Sequence, residues 1–342
     1  MQAYAAVPVV VYGHHLCEYS HACRRAQQGH YTGLMLAVHL ERGAVELRDV
    51  PKPTPPEGFA LIRLVCAGIC NTDLELQRGY YAFAGIPGHE FAGVVEQGPG
   101  ELPGKRVVGE INLACGACEW CARGLGRHCE RRTVLGIAGH PGVFAEYFTL
   151  PAANLHVLPD ALSDERAVFV EPVAAACEIL DQVEIPRGAA VAVLGDGKLG
   201  LLAAQVLAAH GAKVSLYGHH PERAAIARVE PGTAGEAFDW VVEATGSAEG
   251  LVQAVAMTRP RGTIVMKSTV HGDVALDMAP VIVNEITLVG SRCGRFEPAL
   301  AMLERGAVRV DEMITDRYPL RDAARAFARA AERGALKVLL YP

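Results

Sequence analysis

Ala189-Ala190-Val191-Ala192-Val193-Leu194-Gly195-Asp196-Gly197-Lys198-Leu199-Gly200 is the stretch on which the fold turns. Six apolar residues read as a buried strand, and G-x-G-x-x-G follows at once. A helical stretch, Leu199 to His210, comes next, and Lys213 to Tyr217 reads as a second strand. In that setting the first glycine makes the tight turn, the second lets the backbone approach a pyrophosphate, and the third lets helix pack on strand. The helix N-terminus adds N–H donors and a dipole that favours phosphate. A purely structural turn is the competing explanation, and the strand, loop, helix, strand order argues against it. Gly195, Gly197, Lys198, Leu199 and Gly200 are the expected dinucleotide contacts.

NAD sites commonly carry Asp or Glu at the end of the second strand, where the carboxylate accepts from a ribose hydroxyl. Here Gly218 holds that place, and His219, His220 and Arg223 follow. A missing carboxylate removes repulsion against a 2′-phosphate, and Arg223 with a histidine can hold one. NADP(H) is therefore expected over NAD(H), the alternative being that Arg223 covers the adenine face.

Working outward, strands at Asp239 to Ala244, Thr263 to Lys267 and Thr287 to Gly290 continue the alternation with helices, which implies a parallel sheet. The stretch from Arg223 to Asp239 is short for helix, strand and helix, so one strand is expected to be truncated. A helical stretch from Val173 to Val183 leads into this region, and an alanine-rich helix, Leu320 to Arg333, ends at Gly334. Upstream the texture differs. Short runs at Leu34 to Leu40, Val45 to Val50, Ala60 to Ala67, Phe91 to Glu96 and Arg106 to Val108, broken by Pro and Gly, suggest a barrel-like β domain.

A chain of 342 residues exceeds what one core usually supports, so two domains are expected. With 51% apolar residues, 20% charged and a net charge of -6, it has an ordinary globular balance and no electrostatic footprint for nucleic acid. The apolar run Ala5 to Tyr12 is too short to span a bilayer. Ten cysteines without a secretory signal fit a reducing, cytoplasmic setting. Residues 1–33 hold His14, His15, Cys17, His21, Cys23 and His30 without periodicity, and read as a disordered extension or a start assigned upstream of Met35 rather than a metal-binding tail.

Cys115, Cys118, Cys121 and Cys129 stand as C-x2-C-x2-C-x7-C. Thiolates so spaced can converge on a tetrahedral ion, and four cysteines make a closed structural zinc site. A ferredoxin run shares the first spacings but continues as C-x3-C-P, whereas here seven residues intervene and Glu130 follows. Four unliganded surface thiols are the remaining reading, in a loop that offers no apolar core for sulfur.

Cys70-Asn71-Thr72-Asp73, Gly88-His89-Glu90, the four-cysteine run and the glycine loop occur in an order that resembles the zinc-dependent alcohol dehydrogenases of the medium-chain dehydrogenase/reductase superfamily, from about Met35 onward. The pair Glu171-Pro172 looks like the sorbitol, glucose and threonine dehydrogenase branch. The resemblance implies an α/β chain: a GroES-like β-barrel catalytic domain over residues 34–172 with its zinc lobe at 115–129, a Rossmann doubly wound parallel sheet over 173–306, and a C-terminal return at 307–342. It further implies two zinc ions per chain. Cys70 and His89 would bind the catalytic ion, with Glu171 or Glu90 and a water completing the shell. Thr72 would pass the hydroxyl proton outward, and Asp73 would orient a ligand.

Two departures stand out: Glu75 takes the place of a relay histidine, and Gly98 arrives one position early. Arg78, Tyr80, Tyr81 and Phe83 either line a substrate pocket or pack under a loop, and Cys66, Cys177 and Cys293 read as small buried residues. The implied partner is a small alcohol or carbonyl compound, in a dimer or tetramer of this chain, with no nucleic acid and no membrane. The rival readings are a nucleotide-binding protein without turnover and a zinc-ribbon nucleic-acid binder, each of which would hold one zinc ion rather than two.

Overall fold

In the computed structural model, which describes residues 33–269 and 274–342, the strand Phe59–Gly68 is the axis of the N-terminal unit. Only Arg63 of its ten residues is exposed. The strand has neighbours on both edges, Glu90–Gln97 on one and Tyr147–Pro151 with Lys337–Tyr341 on the other, all antiparallel. Arg106–Gly109 and Leu155–Val157 extend the sheet beyond Glu90–Gln97, and Ile314–Pro319 extends it beyond Lys337–Tyr341. A hairpin, Leu34–Glu41 with Ala44–Pro51, closes over it and is tied down by the Val38 amide on the Phe144 carbonyl at 2.8 Å. The sheets wrap one apolar core that includes Val38, Ile62, Leu64, Phe91, Phe144 and Phe327. The extension expected over residues 1–33 lies, but for Gly33, outside the described residues.

The last strands were absent from the sequence reading. Ile314–Pro319 and Lys337–Tyr341 run parallel, joined by the helix Ala323–Ala331, whose arginines face out while Ala326 and Phe327 are buried. Phe327 meets Phe144 edge-on, with centroids 6.0 Å apart. Leu339 pairs with Gly68, and this return brings Lys337 beside the N-terminal strands.

The second unit is a six-stranded, all-parallel sheet. Numbered along the chain, its strands Ala190–Leu194, Lys213–Tyr217, Glu230–Pro231, Phe238–Glu243, Thr258–Met266 and Thr287–Gly290 lie in the order 3-2-1-4-5-6. That is the doubly wound arrangement, with its ligand crevice beyond the carboxyl ends of the strands where the order reverses. The truncated strand foreseen from the sequence is Glu230–Pro231, with its proline on the sheet edge. The helix Val170–Gln182 joins the units and packs on the helices Lys198–His210 and Phe296–Glu304. One buried cluster runs from Cys66, Ala92 and Val108 through Phe169 and Val173 to Val193 and Leu201, so the units share a continuous core. Among the described residues no helix is long and apolar enough to cross a membrane.

Candidate active site

Cys70 caps the short helix Asn71–Gln77 in an extended conformation. Asp73, fully buried in the first turn, accepts from the Cys70 amide at 2.8 Å through one carboxylate oxygen and from the Gly88 amide at 3.1 Å through the other. One side chain thus locks together two segments that lie far apart in sequence. His89 follows Gly88 directly, and its Nδ1 lies 3.5 Å from Asp73 Oδ1, buried and without a hydrogen bond. Burial opposes an imidazolium there, but Asp73 and then Cys70 outweigh it and hold His89 well above its ordinary value.

The ligand atoms of Cys70, His89 and Glu90 all lie within 4.8 Å of one another. An imidazole, a thiol and a carboxylate converging in a largely buried corner suit a zinc ion with an exchangeable position. Glu90 also forms a buried ion pair with Lys337. Glu171, in the first turn of the helix Val170–Gln182, stands outside this tight set, yet it feels the charges of His89, Glu90, Lys337 and Lys267. Burial pushes its carboxyl up. Thr72 Oγ1 is 3.8 Å from Cys70 Sγ, and Glu75 is paired with Arg78.

The four lobe cysteines also converge. Sγ separations are 3.5 Å for Cys118 and Cys121, 3.7 Å for Cys118 and Cys129, and 4.0 Å for Cys115 and Cys121. Zinc–sulfur bonds of ~2.3 Å give a tetrahedron with edges of about 3.8 Å, so the thiols already outline the site. No pair is close to the ~2.05 Å of a disulfide. Amide donors, Ala117 first, hold Cys115 below its ordinary value, and the Cys121 amide leads the same effect on Cys118.

In the glycine loop, Gly195 has φ 108° and a Cβ there would meet the Ala244 carbonyl oxygen at 2.4 Å, while one on Gly200 would meet the Gly195 oxygen at 1.8 Å. Those two glycines serve turn and packing. Nothing lies within 4 Å of a Cβ built on Gly197, so the protein itself does not require glycine there, and the space suits a closely approaching ligand. Lys198 and Leu199 open the helix, and Lys198 Nζ is buried without a hydrogen-bond partner. The charges of Lys337, Cys70, Glu90 and Asp73 all act on it, so this helix start lies near the metal cluster.

The strand end holds a group the sequence reading missed. Gly218 is bare because Asp196 fills its place: a Cβ would meet Asp196 Cγ at 2.3 Å. The Asp196 carboxylate accepts the His220 amide at 2.5 Å, and Arg223 donates to the Asp196 carbonyl at 3.0 Å and the Gly334 carbonyl at 3.2 Å. His219 is exposed at the rim. Elsewhere, Tyr80 and Phe83 pack against the barrel core, and Arg78 and Phe83 line a groove of about 390 Å³ beside the hairpin at Glu41 to Gly43. Cys66 and Cys177 are buried, and burial pushes them up to about 12 and about 11. Cys293, half-buried, lines a cavity, and burial pushes its thiol up.

Known families and proteins agree with this geometry. The alcohol dehydrogenase GroES-like domain matches residues 56–160, and the zinc-binding dehydrogenase family matches residues 227–305. An L-threonine 3-dehydrogenase of Streptomyces coelicolor is 33% identical over 329 residues, covering 86% of this chain and 95% of the relative. A sorbitol dehydrogenase of Halalkalibacterium halodurans is 29% identical over 331 residues, covering 88% and 96%. A protein of Sinorhizobium meliloti 1021 solved with NADP superposes with a TM-score of 0.83 at 29% identity, covering 91% of this chain and 100% of the other. An Escherichia coli CFT073 alcohol dehydrogenase complexed with NADH gives 0.83 at 25% identity with the same coverage. The chain belongs to the zinc-binding alcohol dehydrogenase family of the medium-chain dehydrogenases and reductases.

Proposed function

We propose that this chain is a zinc-dependent, NAD(P)-linked dehydrogenase of polyols and related alcohols, and in reverse a reductase of the corresponding carbonyl compounds. The observation that carries the reading is the convergence of Cys70, His89 and Glu90 in a chain that also has the doubly wound sheet and the glycine loop of a dinucleotide site. Cys70, His89 and Glu90 hold the catalytic ion, with Glu171, in the first turn of the helix Val170–Gln182, as the alternative carboxylate. Zinc bound there supplies a Lewis acid that favours the alkoxide of an alcohol. Gly195 to Gly200 and Lys198 hold the dinucleotide, which supplies the hydride acceptor or donor. Thr72 takes the substrate hydroxyl proton outward, and the Glu75–Arg78 pair ends that route where other family members keep a histidine. Cys115, Cys118, Cys121 and Cys129 hold the second ion.

For the cofactor, NADP(H) is favoured over NAD(H). Asp196 at the strand end is only 8% exposed and already accepts the His220 amide, and at the rim His219, His220 and Arg223 outnumber the single exposed carboxylate, Glu222, which lies 3.5 Å from His220 Nδ1. Assembly as a dimer or larger oligomer is supported by Met278, Ile282 and Val283, which are 44%, 71% and 78% exposed beside the open edge strand Thr287–Gly290. The test is nicotinamide absorbance with zinc-loaded protein against a panel of polyols and ketoses, together with metal analysis. Turnover and two zinc ions per chain are expected; one ion and no hydride transfer would defeat the reading.

A further inference from the structure

Lys267 directly follows the fifth strand of the parallel sheet and is 6% exposed. Its ammonium donates to the Ala175 carbonyl at 2.6 Å, the Arg292 carbonyl at 2.8 Å and Ser291 Oγ at 3.0 Å. All three acceptors are neutral, and among the described residues no carboxylate lies within ion-pair distance of it. Burying an ammonium without a countercharge in contact is costly, and its field is little screened by solvent. The bonds fix where that charge sits, because they join the strand end to the helix Val170–Gln182 and to the segment after the last strand. That segment is itself pressed on the helix: a Cβ on Gly294 would meet the Ala174 carbonyl oxygen at 1.9 Å.

Lys267 lines a cavity of about 360 Å³ at the carboxyl ends of the fifth and sixth strands. In a doubly wound sheet the adenosine ribose goes to the end of the second strand, so the nicotinamide half of the dinucleotide falls beyond the switch point, over strands four to six. The cavity is therefore the ring's end of the crevice. Its wall carries two cations, Lys267 and Arg292, and one carboxylate, Glu178. Glu178 Oε2 lies 3.4 Å from Arg127 Nη2, so its charge is met from outside the wall. Arg292 is exposed at the mouth, where solvent and salt screen it. Burial and the arginines around it hold His128 below its ordinary value, which leaves it neutral at pH 7. Lys267 is the one buried cation of this wall.

The two states of a nicotinamide ring differ by one charge: the oxidised ring is a cation and the reduced ring is neutral. On the reading of the chain as an NAD(P)-linked dehydrogenase, we infer that Lys267 tunes the ring, its fixed ammonium disfavouring the oxidised state and so making it a stronger hydride acceptor. In the step it assists, the carbinol C–H bond breaks, its hydrogen and electron pair form a C–H bond on the ring, the ring's charge is lost and the hydroxyl proton is released. The repulsion from Lys267 is relieved as that charge disappears, which favours the transition state over the ground state.

The test is calorimetric titration of zinc-loaded protein with NADPH, with NADP⁺ and with 2′-phospho-ADP-ribose, which lacks the ring. At pH 7 the ammonium is charged, since burial lowers Lys267 only to about 8. At an effective dielectric constant of about 20, a unit charge about 10 Å away shifts an equilibrium by about tenfold. The ratio of NADPH to NADP⁺ affinity is therefore expected to fall by about tenfold in Lys267→Met and to stay near the wild-type value in Lys267→Arg, which keeps the charge. Binding of 2′-phospho-ADP-ribose should stay within about twofold throughout. Arg292→Gln, at the screened mouth, should move the ratio less than Lys267→Met does. Should Lys267→Met fail to fold, Lys267→Gln, which keeps N–H donors for the carbonyls, carries the same expectation. A ratio untouched by loss of the charge, an equal fall in affinity for all three titrants, or a fall in the ratio as large in Lys267→Arg overturns the inference. Hydride transfer from polyols to NADP⁺, measured in parallel on the wild-type chain, separates the two readings. Transfer with an unmoved ratio removes the role of Lys267 alone, whereas no transfer from any alcohol removes the dehydrogenase assignment.

Discussion

The two metal centres of this protein are built in opposite ways. The four-cysteine site is local: all its sulfurs come from one stretch of fifteen residues, on a lobe where only Cys129 is buried. The Cys70, His89, Glu90 site is assembled: its residues sit at a helix start and a strand start, clamped by Asp73 below and Lys337 from the far end of the chain. A local site needs only its own loop to exist. An assembled site exists only when the barrel does, and every support is a place to break it.

Cys70→Ala should produce the largest effect, because it removes a ligand that nothing nearby can replace. Losing the Lewis acid is worth several kcal/mol, so kcat/KM should fall by about 1,000-fold or more. Zinc content should drop from two ions to one, while equilibrium binding of NADPH stays close to that of the wild-type chain. Retained turnover would show that the assembled site is not the reacting centre.

Lys337→Met tests the support rather than the ligand. It leaves the Glu90 carboxylate buried without its partner, and breaking a buried pair from one side costs about 3–5 kcal/mol. Denaturant melts should show that loss in full for the zinc-free protein. The zinc-loaded protein should lose less, since the ion takes over part of the compensation.

Cys118→Ser probes the local site and should cost less, about 2–3 kcal/mol, because structural zinc contributes folding energy only to the lobe it closes. The contrast with Cys70→Ala is the point: melting temperature falls while kcat stays within severalfold. A kcat collapse equal to that of Cys70→Ala would erase the distinction between the two centres.

This contrast also explains what was legible in the sequence. The glycine loop, its strands and the four cysteines are short-range patterns, and each appears where periodicity and spacing put it. The truncated strand was legible by counting residues. Cys70, His89 and the two acids could be named only through a family resemblance, since no spacing rule brings Cys70 to His89; Asp73 does that in three dimensions. Lys337 and its strand were missed because the partner strand lies some 270 residues upstream, and a short apolar run at the chain end gives no hint of pairing. Asp196 was missed for a related reason. Within the loop it occupies a position open to any residue, and only the folded turn swings its carboxylate under Gly218.

The smallest expected effects concern the dinucleotide, and two lysine and arginine variants divide it. Lys198→Met removes a buried, unpartnered ammonium at a helix N-terminus, where either cofactor presents its diphosphate. Affinity for NADH and NADPH should fall together, by about tenfold. Arg223→Gln acts at the other end, where only the 2′-phosphate differs. Its guanidinium is held by the Asp196 and Gly334 carbonyls, which fixes the charge near the strand end without neutralising it. The ratio of NADPH to NADH affinity should therefore fall by about fivefold, one exposed charged contact being worth roughly 1 kcal/mol. Fluorescence titration of both reduced cofactors measures it. Gly218→Asp would be a poor substitute, because the new Cβ collides with Asp196. Should the ratio stay constant in Arg223→Gln, the Asp196 carboxylate governs the strand end and the chain prefers NADH.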